Sequence, residues 1–138
     1  MQFWQTVFLR QGLFVKHESE SRCWLCMGTL PEKLCCILWP AEKVTTGKHV
    51  LWIPKTSVQG KQDLRVQSVF SVKSWQVIPT KVWSAVHCFV QKVKDAAPVS
   101  HVQTGKPVSL LQHAAENAFW DIPTRYLKRL RKAGHLFI

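Results

Sequence analysis

Acidic residues are scarce in this 138-residue sequence: eight Asp and Glu stand against nineteen Lys and Arg, for a formal charge of +11 at neutral pH. A field of that sign attracts polyanions such as nucleic acid or anionic headgroups. Long apolar runs are missing too. The longest unbroken one, Leu34 to Trp39, falls far short of the ~20 residues that span a bilayer, so no transmembrane segment is expected. The sequence contains no internal repeat and no low-complexity tract, which argues against solenoids and fibrous folds. Tyr126 and Asn117 are the sole residues of their types beside seven Trp. That skew fits a tryptophan-rich specialist, and equally a young orphan reading frame without a selected biochemical role.

The opening MQFWQTVFLRQGLFVKHE lacks a basic n-region and breaks its apolar stretch with Gln, Thr and Arg, unlike a secretory leader. Five cysteines, an odd number, then suit a reducing compartment. The expectation is an intracellular protein, in nucleus or cytoplasm rather than mitochondrion. At 46% hydrophobic and 20% charged residues, the composition supports one small domain over residues 1–138.

Periodicity divides the chain. Phe3, Trp4, Val7, Phe8, Phe14 and Val15 share a stripe that predicts a short N-terminal amphipathic helix. KLCCILW between Pro31 and Pro40 reads as a strand, AEKVTTGKH as a turn, and HVLWIP as a strand. LRVQSVFSVKSWQVIP alternates, with a break from Val69, so it forms one long strand or two. Val82, Trp83, Val86, Phe89, Val90 and Val93 have helical spacing. Residues 97–107 read as an internal linker before C-terminal helices at 109–133. Ser109 and Gln112 have capping-box spacing, and Thr124 opens TRYLKRLRKA, closed by Gly134. The expected fold class is α+β: an N-terminal amphipathic helix, a few short central strands and about three C-terminal helices, ordered over part of the chain.

Cys23-x-x-Cys26 has the spacing of a zinc knuckle, a weak metal candidate with no evident second pair. Cys35 and Cys36 are adjacent, so on a strand they point apart. The neighbouring Leu25, Leu34, Ile37 and Leu38 favour ordinary buried thiols. His87 and Cys88 diverge by about 100° on a helix, and TTGKH lacks the first glycine of a phosphate loop. No catalytic set emerges and no cofactor is implied, so a non-enzymatic protein is expected.

The densest polar feature is C-terminal. Arg125, Lys128, Arg129, Arg131 and Lys132 fall together, with Tyr126, Leu127 and Leu130 as an apolar stripe. These five cations are the candidate polyanion-binding residues, with nucleic acid as the leading partner. The same run, KRLRK, also reads as a nuclear-import signal. A protein–protein alternative rests on SLLQHAAENA, where Leu110, Ala114 and Ala118 recur at i, i+4, i+8. That spacing resembles the elongin-binding box of ubiquitin-ligase substrate receptors. IPTRYLKRL resembles the cullin-binding stretch of the suppressor-of-cytokine-signalling box, although the gap to Pro123 is short. The resemblance implies an adaptor using Leu110, Ala114 and Ala118 to hold a protein partner.

Overall fold

Strand pairing organises the chain. The structure is a computed structural model and describes residues 11–30 and 34–132. Three antiparallel strands form its centre: β1 (Leu13–His17), β2 (Cys23–Leu30) and β3 (Cys35–Thr46). The second half of β3 pairs with β4 (His49–Pro54), while its first half pairs with β5 (Arg65–Ser68). A 3-10 turn at Val69–Ser74 leads into β6 (Trp75–Ile78), which pairs with β1. Outside the sheet, α1 (Gly60–Asp63) and α2 (Trp83–Lys94) precede two short strands, β7 (Val99–Ser100) and β8 (Pro107–Val108), paired with each other. Then come α3 (Leu110–Asn117), β9 (Phe119–Asp121) and α4 (Thr124–Lys132). β9 lies parallel to β5, so seven strands form one mixed sheet in the order β6-β1-β2-β3-β5-β9, with β4 on the far half of β3.

Both faces of the sheet centre are covered. On one, Phe14, Leu25, Met27, Ile37 and Val66 meet Val86, Val90 and Val93 of α2 and Ala114 and Ala115 of α3. The i, i+4, i+7 spacing of the three valines is what aims one stripe of α2 at the sheet. Trp39 of β3 meets Phe89 of α2 edge-on at 5.3 Å, and its indole N–H donates to the Lys55 carbonyl at 2.7 Å. On the other face, Val15, Trp24, Cys26, Cys36 and Leu38 pack with Val72 and Trp75. Each large apolar side chain buried here contributes about 1.5–3 kcal/mol.

The sheet corrects the expected fold class. Residues 13–17 form β1 instead of continuing an N-terminal amphipathic helix; the rest of that predicted helix, residues 1–10, lies outside the described residues. The strands are not a few short central ones but a seven-stranded sheet that dominates the fold, with helices in the minority. The physical reason is double burial. A strand covered on both faces shows no period-two alternation, so LFVK mimics a helical stripe. AEKVTTGKH is likewise no long turn: β3 runs to Thr46 and reverses at Gly47 and Lys48 into β4. The 97–107 stretch carries the β7–β8 pairing.

Gly12 joins the sheet to α2. It holds φ +82°, a left-handed conformation, and a Cβ there would lie 3.3 Å from Val86 Cγ1. Its N–H donates to the Cys26 carbonyl at 2.8 Å. Gly12→Ala should therefore lower stability by about 1–2 kcal/mol, seen as a lower urea midpoint at unchanged m-value. An unchanged midpoint would show that the backbone relaxes freely at this position.

Candidate polyanion interface

α4 displays its charge as a stripe. At 100° per residue, Arg125, Lys128, Arg129 and Lys132 fall within an arc of about 100°, and Arg131 flanks it. All five are exposed. Tyr126 and Leu127 lie on the opposite side and are half-buried, with Leu127 packed on the helix-covered core. The amphipathic pattern fixes this orientation, since the apolar arc can bury only by turning the cations outward.

The 3-10 turn supplies what α4 lacks. Ser68 caps that turn by accepting from the Phe70 N–H at 3.2 Å, and the Phe70 ring stacks on Tyr126 with centroids 4.9 Å apart. Arg125 Cζ lies 4.7 Å from the Tyr126 centroid and Arg129 Cζ 5.3 Å from that of Phe70. Such cation–π contacts hold flexible guanidiniums over fixed rings, so less freedom is lost when they bind an anion. Between α4 and the turn lies a cleft of about 630 Å³, lined in part by His17, Gln67, Ser71, Lys73, Arg125 and Arg129. The structure thus brings Arg125 and Arg129 together with Lys73 and Phe70. Lys128, Arg131 and Lys132 stay on the open face of α4. Sequence reading missed Phe70 and Lys73 because they lie far from α4 along the chain; only the break in alternation after Ser68 marked the segment.

Leu110, Ala114 and Ala118 are placed differently. Ser109 caps α3, its Oγ accepting from the Gln112 N–H at 3.1 Å. Ala114 and Ala118 are buried in the sheet–helix core, and Leu110 packs half-buried against it. In this conformation that face is turned to the sheet and not to solvent.

The cysteine cluster is split by strand alternation. Cys23 and Cys35 face the helix-covered core, while Cys26 and Cys36 face the opposite one. Cys23 and Cys26 cannot share an ion from opposite faces of one strand, and no metal-holding group of three or more His, Cys, Asp or Glu forms among the described residues. Desolvation pushes the Cys23 thiol up to about 12, opposed by a backbone hydrogen bond at Trp24 and by Lys16. Burial likewise pushes Cys26 up to about 12, against a hydrogen bond at Gly28. Burial raises Cys36 well above its ordinary range, helped by Cys26 and Cys35; its Sγ–H donates to the Gln67 carbonyl at 3.2 Å. Thiols held protonated in this way are poor ligands and nucleophiles at neutral pH.

No family model matches the chain, and neither a curated protein sequence nor a solved structure matches it.

Two expectations follow from the thiols. Iodoacetamide should modify the exposed Cys88 rapidly in the native protein and the four buried cysteines only after unfolding; rapid native modification of a second thiol, read by mass spectrometry, would refute the burial. The folded-state thiol values lie above the unfolded value near 9. Their contribution is therefore full below pH 9 and is lost as pH rises towards 12. Urea midpoints should fall across that window, less steeply in Cys26→Ala.

Proposed function

We propose that this chain is a small, basic, non-enzymatic protein that binds nucleic acid or a comparable polyanion through α4. One observation carries the reading: Arg125, Lys128, Arg129 and Lys132 form a single exposed stripe, and Arg125 and Arg129 line one cleft with Lys73 beside the Phe70–Tyr126 stack. Aligned cations replace the counterions condensed on a polyphosphate, which supplies affinity without a sequence code. The placement of Ala114 and Ala118 in the core favours this reading over the adaptor alternative.

A fluorescently labelled single-stranded oligonucleotide tests it by anisotropy. With about five phosphate contacts, affinity should fall about a hundredfold between 50 and 200 mM salt. Replacing Arg125, Lys128, Arg129, Arg131 and Lys132 together by Ala should abolish binding at low salt, while single replacements reduce the salt slope in steps of about 0.7. Affinity that survives high salt, or survives the fivefold replacement, would defeat the proposal.

A further inference from the structure

The cleft beside α4 has features that a plain basic face does not need. Gln67 is 3% exposed, and its donor Nε2 is only loosely held, in a 3.5 Å contact to the Ser68 carbonyl. Ser71 Oγ is buried and unpartnered. A group left in that state costs about 1–3 kcal/mol, and both residues line the cleft. His17 completes a donor set. Its Nδ1 accepts from the Ser19 N–H at 3.2 Å and lies 2.6 Å from Ser19 Oγ. With Nδ1 engaged as acceptor, the neutral ring carries its proton on Nε2 and becomes a donor.

Charge balance narrows the ligand. Lys73, Arg125 and Arg129 set three cations on the cleft against one carboxylate, Asp121, leaving a surplus of +2. Asp121 is itself drawn towards Arg65, at 3.7 Å. An interior phosphodiester carries one charge and two free oxygens. A phosphomonoester carries nearly −2 and three strong acceptor oxygens, which matches both the surplus and the count of donors from four separate segments.

We infer that the cleft between α4 and the 3-10 turn is a phosphomonoester site, with Arg125, Arg129 and Lys73 as charge partners and Ser71 Oγ, His17 Nε2 and Gln67 Nε2 as hydrogen-bond donors. The inference rests on the polyanion reading of α4 only for the molecule that carries the phosphate. A terminal phosphate on a nucleic-acid strand and a free phosphorylated small molecule present the same chemistry. The two guanidiniums, stacked on Tyr126 and Phe70, offer planar forks suited to phosphate oxygens.

The test compares a 5′-phosphorylated oligonucleotide with its 5′-hydroxyl twin, and separately titrates inorganic phosphate while amide resonances of residues 67–74 are followed. A terminal-phosphate site should bind the phosphorylated strand about tenfold more tightly, and Lys73→Gln or Ser71→Ala should shrink that preference below about threefold. Lys73 is exposed, so its replacement leaves the fold out of question. Equal strand affinities with saturable phosphate shifts at Ser71 and Lys73 would keep the site and assign it to a small phosphorylated molecule. Equal affinities with shifts reproduced by chloride at matched ionic strength would overturn the site, while salt-dependent strand binding left the α4 proposal standing. Saturable phosphate shifts with no strand binding at any salt would support the cleft and sink the α4 proposal.

Discussion

The antiparallel pairing of β2 with β3 is the constraint on which the rest of the structure depends. These two strands carry Leu25, Met27, Ile37 and Trp39 on one face and Trp24, Cys26, Cys36 and Leu38 on the other. Once their ladder closes, neither face can meet water without exposing a row of large apolar side chains. One face draws in α2 and α3, and the other recruits Val72 and Trp75. The chain's skewed composition becomes intelligible here, since Trp24 and Trp75 fill the second face with few residues.

That second face also organises the charge. Arg65 projects from β5 beside Trp24, its Cζ 4.7 Å from the ring, and donates to both oxygens of Glu20 at 2.9 and 3.0 Å. Arg22 lies over the same indole at 4.5 Å. A half-buried guanidinium is tolerated only when paired, and here two of the scarce carboxylates, Glu20 and Asp121, are committed to it. These two carboxylates are held at the sheet edge, while no salt bridge to an α4 cation forms among the described residues. The helix α4 and the 3-10 turn, with Lys73, together hold six of the nineteen Lys and Arg.

Local signals were legible in several elements with one wet side. The spacing of Val86, Val90 and Val93 marks α2, Ser109 with Gln112 marks the start of α3, and the lost alternation after Ser68 marks the turn between β5 and β6. Two-sided burial hid β1 and β2, although KLCCILW, bracketed by prolines, read as a strand. LFV and CWLCMG are apolar throughout, so neither period can be read from them. The cysteine pattern misled for a related reason: x2 spacing suits a knuckle on a tight turn, but on a continuous strand it places Cys23 and Cys26 on opposite faces.

The sequence by itself determined the basic surplus, the amphipathic character of TRYLKRLRK and the absence of a long apolar helix, because each is a local or additive property of residues in order. Tertiary structure alone decided the sheet, the separation of Cys23 from Cys26 on its two faces and the cleft. Phe70 and Lys73 meet Arg125 and Arg129 only because β9 runs parallel to β5 and delivers α4 against the turn that follows β5. Contacts of that kind depend on strand order and register, which follow from how apolar faces close over the whole domain and leave no mark on any one segment.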